Sequence, residues 1–397
     1  MRKIICTLLS LTLLSAGARA AEPAPSGSFD LGCTSAVLME RETGTALYEQ
    51  EAHRHLSPAS VTKVMTLLLV AEAVDSGTLS PQETVVGSAR AASMGGSQIW
   101  LKEGEQMTVS EMTKCVAVVS ANDCAVALAE HLCGSEEAFV ARMNARAEEL
   151  GMADTHFTNC TGLFEDPEHY TSAWDVALMS RALLSHDFVR QFTGIWTDTI
   201  RNGTFGLTNT NKLVRFYPDC TGLKTGFTST AMFCLAASAE RDGVEYIAVI
   251  LHGDTSQKRF DAARTLLDYA FANYALVEPA AEALPEVAVK LGQTQRVKTV
   301  CGCSGKIVVE KAVKSALEAR AEVPESVDAP VEAGARLGTL FLTAGDRTVA
   351  EVPLLAGSEV ERLSVRQIWA GLVRCLCGLE GLSPSSPETQ KNAGPGS

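Results

Sequence analysis

Apolar residues run through 36–39 and 46–48, within segments 34–41 and 45–49 that flank Glu42-Thr43-Gly44. The pattern predicts two strands joined by a turn, for which Gly44 supplies the backbone freedom. Ser57-Pro58 then opens a helix, with Ser57 as its cap and Pro58 at the first helical position. From 61 to 73 almost every position is apolar, so this helix should be buried around most of its circumference. Further helical patterns cover 109–132, 135–150, 172–185 and 256–273. Two apolar runs, 231–239 and 244–252, flank Asp242-Gly243 and predict a second hairpin. Strands at both ends therefore enclose a helical middle. That is an α/β (α+β) plan built on an antiparallel sheet.

After about residue 277 the pattern changes. Pro279, Pro285, Pro324 and Pro330 punctuate short alternating segments at 286–291, 295–301, 305–311, 319–323, 337–343 and 347–354. These predict a small all-β domain. Helical spacing returns over about 362–380. Val365, Ile368, Trp369, Leu372, Val373 and Leu376 recur on it, with Arg366, Gln367 and Arg374 at other positions. An apolar face bearing Trp with Arg neighbours suits a membrane surface. Residues 384–397 are rich in Ser, Pro and Gly and read as a disordered tail.

The N-terminus has a different character. Arg2 and Lys3 precede an apolar stretch over 4–14, and Ala18-Arg19-Ala20 forms a small-x-small cleavage pattern. Residues 1–20 therefore read as a secretory signal peptide. The expected divisions are that signal, a main domain over 21–276, the β-domain over 277–358, the amphipathic helix over 359–383 and the tail.

Composition narrows the function. The 397 residues are 46% hydrophobic and 20% charged, as in ordinary globular proteins. The net charge is −13, and the signal removes only basic groups, so the exported chain is more acidic still. Such a balance excludes a nucleic-acid-binding role, which needs a basic face. There are twelve cysteines, and loss of Cys6 leaves an odd number. Cys115, Cys124, Cys133, Cys160, Cys220 and Cys234 lie in apolar or motif-bearing stretches and read as buried free thiols. Cys301/Cys303 and Cys375/Cys377 are close pairs, but no His follows His252, so no metal site is expected.

Three short motifs carry the chemistry. In Ser60-Val61-Thr62-Lys63, Ser and Lys share one helix face. A lysine there can take the hydroxyl proton if burial or another cation lowers its pKa. Lys63 lies in an apolar run, where an unused charge is costly. Ser120-Ala121-Asn122 sets polar groups in an otherwise apolar stretch, where they need partners. Lys224-Thr225-Gly226 precedes the apolar strand 231–239, and Gly226 would let a substrate chain come close.

SxxK, then SxN, then KTG, in that order, is the signature of penicillin-recognising serine acyl-transferases. The run Pro58-Ala59-Ser60-Val61-Thr62-Lys63-Val64-Met65-Thr66 resembles the active-site helix of low-molecular-mass penicillin-binding proteins. Asn209-Thr210-Asn211-Lys212-Leu213 and Gly222-Leu223-Lys224-Thr225-Gly226-Phe227-Thr228 resemble D-alanyl-D-alanine carboxypeptidases of the type-5/DacF kind. So do Gly162-Leu163 with His169-Tyr170, and Leu266-Leu267-Asp268-Tyr269-Ala270-Phe271. The resemblance runs from about 30 to 380.

It implies a serine carboxypeptidase that removes the terminal D-alanine from peptidoglycan stem pentapeptides and is acylated by β-lactam antibiotics. It implies that Ser60 is the nucleophile, Lys63 the general base and Ser120 a proton relay toward the leaving amine beside Lys224. Asn122 would hold the substrate amide, Thr225 and Arg259 the terminal carboxylate, with Gly226 lining the same strand. A guanidinium suits that role because it pairs with a carboxylate as a fork. The backbone N–H groups of Ser60 and Phe227 would form the oxyanion hole. No cofactor is required. The enzyme would work on the outer face of the cytoplasmic membrane, with the amphipathic helix on that surface. The chain departs from many relatives at Phe227, where some have His, and at Thr221, where many have Asp. A serine β-lactamase is the first alternative, yet Glu165-Asp166-Pro167-Glu168 does not give the Glu-x-x-x-Asn pattern such enzymes use to deacylate. A non-catalytic peptidoglycan-binding relative is the second, and intact Ser60, Lys63, Ser120 and Lys224 oppose it. Transfer to another stem peptide instead of water stays open.

Overall fold

The computed structural model describes residues 29–164, 166–278, 284–302 and 306–376. The signal at 1–20, the tail at 384–397, Cys303 and Cys377 lie outside the described residues.

The first hairpin forms as its pattern predicts, with β1 over Cys33–Glu40 and β2 over Ala46–Gln50. A 3-10 turn, Ala59–Thr62, leads directly into α1, Lys63–Asp75. Ser57 does not cap this entry. Pro58 holds the cap position, and no side chain bonds the first turn. Burial of α1 is nearly complete, with residues 63–71 all inaccessible.

The expected helix over 109–132 is two helices. α2 spans Val109–Val119 and α3 spans Asn122–Cys133, with Ser120 between them in the left-handed region at φ 64°. α4 (Glu136–Glu149) and α5 (Ala173–Leu183) complete the helical layer beside the site. The motif strand β3, Cys220–Thr228, then opens a run of three antiparallel strands with β4 (Met232–Arg241) and β5 (Val244–Gly253). α6, Ser256–Asn273, closes the domain.

The sheet order is β2-β1-β5-β4-β3, and every pair is antiparallel. Alternate residues serve opposite faces. Val37, Met39, Val249 and Leu251 face the helical layer with α1, whereas Ala36, Leu38, Ala248 and Ile250 pack on Leu266, Leu267 and Ala270 of α6. With both faces covered, these strands read as continuous apolar runs.

The chain enters its second unit through a strand, Tyr274–Val277, that pairs antiparallel with Ile307–Glu310 and straddles the expected boundary at 276. A six-stranded sheet follows, of strands Glu286–Lys290, Arg296–Cys301, Leu317–Glu322, Ser326–Asp328, Arg336–Ala344 and Arg347–Ala356. The terminal helix, Val365–Leu376, leaves its apolar residues in water. Trp369 is 65% exposed and Leu376 86%. No helix among the described residues is long and apolar enough to cross a membrane.

Candidate active site

Ser60 and Lys63 face each other across one turn. The Lys63 Nζ donates to Ser60 Oγ at 3.1 Å and to the Thr161 carbonyl at 2.8 Å. Lys63 is fully buried and forms no ion pair among the described residues. Burial penalises the ammonium and pulls its pKa down to about 7, against smaller opposing pulls from Cys160 and Asp123. A group of that pKa is available in both protonation states near neutral pH.

The Thr161 carbonyl is held by a network that includes Gly162 and His169 of the runs quoted above. The Asn159 Oδ1 accepts from the backbone N–H of Thr161 at 3.1 Å and of Gly162 at 2.6 Å. Gly162 adopts φ +68°, and a Cβ there would fall 1.8 Å from the Ala59 carbonyl oxygen. The His169 Nδ1 accepts the Thr158 N–H at 3.0 Å, while Nε2 meets Thr62 Oγ1 at 2.7 Å. Burial pushes His169 down to about 4, so its ring is neutral. The acceptor role of Nδ1 then places the ring proton on Nε2, which donates to Thr62. Thr62 in turn donates to the Ala59 carbonyl at 2.8 Å. This network clamps the turn that carries Ser60.

Ser120 leads into the second side of the site. The left-handed turn ends α2 there and starts α3 at Asn122. The Asn122 Nδ2 donates to the Gly95 carbonyl at 2.8 Å. Ser120 Oγ and Asn122 Oδ1 are buried without a hydrogen-bond partner among the described residues. Buried polar atoms in native folds are normally satisfied, so two orphans in one motif mark places for a ligand's donors and acceptors.

The third side is β3. Lys224, Thr225 and Gly226 lie inside this strand, which is the edge of the sheet. Gly226 also serves a neighbour within the chain. A Cβ there would meet the Pro58 carbonyl at 2.6 Å and the Ser60 nitrogen at 3.1 Å, so glycine lets the nucleophile's own turn pack on the strand. The Lys224 Nζ is buried and donates to the Thr225 carbonyl at 3.0 Å. Burial lowers its pKa well below the usual lysine value, helped by the positive charges of Lys63 and Arg259. Thr225 Oγ1 donates to Thr210 Oγ1 at 2.7 Å. Arg259 reaches from α6, and its Nη1 donates to the carbonyls of Gly226 at 2.9 Å and Cys234 at 3.2 Å. Its Nε has no partner. Burial lowers it to about 10, so it stays cationic at neutral pH. Phe227 is exposed and stacks on Phe233, with ring centroids 4.5 Å apart. Thr221 points away from these groups and donates to the buried Glu245 carboxylate at 2.6 Å.

The fold thus brings the Ser60–Lys63 turn, the Lys224-Thr225-Gly226 strand and Arg259 together, with Gly226 packed on Ser60 and Arg259 bonded to Gly226. Motif reading missed Asn159 and the Thr161 carbonyl, and it gave no role to Thr210 within the run 209–213. A carbonyl contact leaves no side-chain signature, and an isolated Asn is too common to signal one. The cysteines named above as free thiols are all uncrosslinked. Among the described residues, no group of His, Cys, Asp or Glu could hold a metal ion.

Known proteins resemble this chain in sequence and fold. Residues 19–255 match the family model described as D-alanyl-D-alanine carboxypeptidase, and residues 279–362 match the penicillin-binding protein 5 C-terminal domain. The D-alanyl-D-alanine carboxypeptidase DacF of Bacillus subtilis is 40% identical over 83% of this chain and 86% of its own. Penicillin-binding protein 5 of Haemophilus influenzae superposes with a TM-score of 0.79 at 27% identity, over 85% of this chain and 99% of that one. Penicillin-binding protein D2 of Listeria monocytogenes, solved in its ampicillin-bound form, gives 0.57 at 33% identity, over 62% of this chain and all of that one. On these matches the chain belongs to the D-alanyl-D-alanine carboxypeptidase family of penicillin-binding proteins.

Proposed function

We propose that this carboxypeptidase acts through a Ser60 acyl-enzyme on peptidoglycan stem pentapeptides. The observation that carries the reading is a fully buried lysine, without a carboxylate partner, 3.1 Å from a hydroxyl. Neutral Lys63 takes the Ser60 proton as Oγ attacks the carbonyl between the last two residues. The backbone N–H groups of Ser60 and Phe227 bind the oxyanion. Ser120, beside Lys224, passes a proton to the leaving nitrogen, the C–N bond breaks and D-alanine departs. Water then attacks the ester, frees the shortened peptide and restores the Ser60 hydroxyl. Asn122 holds the substrate amide, and Thr225 and Arg259 hold its terminal carboxylate. A β-lactam enters by the same acylation. The test is D-alanine release from a diacetyl-Lys-D-Ala-D-Ala peptide, with fluorescent penicillin labelling mapped by mass spectrometry. We expect release, and label on the peptide that contains Ser60. Label elsewhere, or neither signal, would overturn the assignment.

We also propose that residues 1–20 direct export and that the terminal helix rests on the outer face of the cytoplasmic membrane. The exposed apolar face of Val365–Leu376 supports this, as does Arg366 beside it. A chain ending at Ser364 should lose binding to anionic vesicles in flotation while keeping its carboxypeptidase rate. Unchanged flotation would remove the helix from the membrane role.

A further inference from the structure

The loop before the Gln106–Thr108 strand wraps the start of α3 and presents one aromatic side chain to solvent. Asp123, next to Asn122, is fully buried, and its Oδ2 accepts the backbone N–H groups of both Ile99 and Leu101 at 3.0 Å. Clamped on both flanks, Trp100 takes φ +56° and stands 64% exposed. That conformation is an outlier for a bulky residue, and such outliers cluster at ligand sites. The Phe205 ring lies edge-on to it, with centroids 5.9 Å apart. The Arg201 guanidinium sits 5.3 Å over Phe205, donates twice to Glu105 at 2.7 and 3.1 Å, and donates to the Ile99 carbonyl at 2.8 Å. Ile99, Trp100, Lys102, Glu105, Arg201 and Phe205 line an open cleft of about 690 Å³.

We propose that this cleft binds the glycan chain of peptidoglycan, with one N-acetylhexosamine ring stacked on Trp100 and its polar edge on Arg201, Glu105 and Lys102. A pyranose has an apolar C–H face and a rim of hydroxyl and amide groups, which matches an exposed indole bordered by a fixed ion pair. A nucleobase would also stack, but a chain of net charge −13 repels its phosphates. The inference rests on peptidoglycan being the substrate. It adds a second contact to one polymer, so glycan and stem peptide are held together and the local peptide concentration rises.

Two measurements separate this proposal from the carboxypeptidase reading. Ser60→Ala protein, which cannot turn over, is titrated with chitotetraose and with peptide-free glycan strands by indole fluorescence. Binding should be saturable, and Trp100→Ala in that background should abolish it. Active protein is then assayed on the short diacetyl peptide and on uncrosslinked strands carrying pentapeptides. Trp100→Ala should leave the peptide kinetics within twofold and raise KM for strands about five- to tenfold at unchanged kcat. Trp100→Phe should recover most of that loss. Trp100→Gly, which suits the positive φ, serves should the alanine variant fail to fold. Equal losses on peptide and strands, or no loss on either and no chitotetraose binding, would overturn the proposal. No D-alanine from either substrate would overturn the carboxypeptidase reading instead, with the titration still reporting on the cleft.

Discussion

Lys63→Arg will slow acylation of Ser60 by about 10²- to 10⁴-fold, the usual contribution of a positioned general base. Arginine keeps the positive charge and a long side chain, but its pKa lies too high for it to accept a proton. The comparison therefore isolates basicity from charge. Wild-type Lys63 is pulled down to about 7 by burial. A lowered lysine pKa means the neutral base accumulates as pH rises through that value. Wild-type labelling by fluorescent penicillin should accordingly rise from pH 6 to 8 and then level, whereas the arginine variant should be slow and flat. Lys63→Met fits the buried slot more easily and controls for the larger guanidinium. A rate within threefold of wild type for either variant would remove Lys63 as the base.

Gly162→Ala will destabilise the fold by about 3 kcal/mol or more, because two separate penalties meet there. The φ of +68° disfavours any side chain, and the new Cβ would lie 1.8 Å from the Ala59 oxygen and 2.4 Å from the Ala59 carbonyl carbon. Both obstructing atoms are backbone, so no side chain can swing aside. The turn before Ser60 must move, and acylation should fall with the melting temperature. Gly77→Ala is the control. It has φ +73° with nothing within 4 Å of the added Cβ, so its cost should be only about 1 kcal/mol. A Gly162 variant that melts like the Gly77 variant would show that the Ala59 contact yields easily.

The strands and most helices were legible because burial on both faces of one sheet writes long apolar runs, and amphipathic helices write their own period. The break at Ser120 was not legible. Apolar residues continue through 116–119 and 125–129, so the pattern reads as one helix across the turn that exposes the motif. The reactive residues were legible because three motifs in order are rare together. Their support was not. Glycines 162 and 226 are needed for approaches between segments far apart in the chain, and spacing carries no record of such contacts. At Gly226 a contact with Pro58 and Ser60 adds a requirement for glycine that the spacing did not signal.

β3 ends its sheet, and among the described residues its outer edge pairs with no other strand. An extended peptide can therefore add itself as one more strand, gripped through its amides rather than its side chains. Such a grip is nearly blind to residue identity. Discrimination must then fall on what lies at the two ends of the bound segment. On the carboxylate role proposed for Thr225 and Arg259, a free carboxylate would be required at one end, so a stem whose terminal carboxyl is blocked would be turned away.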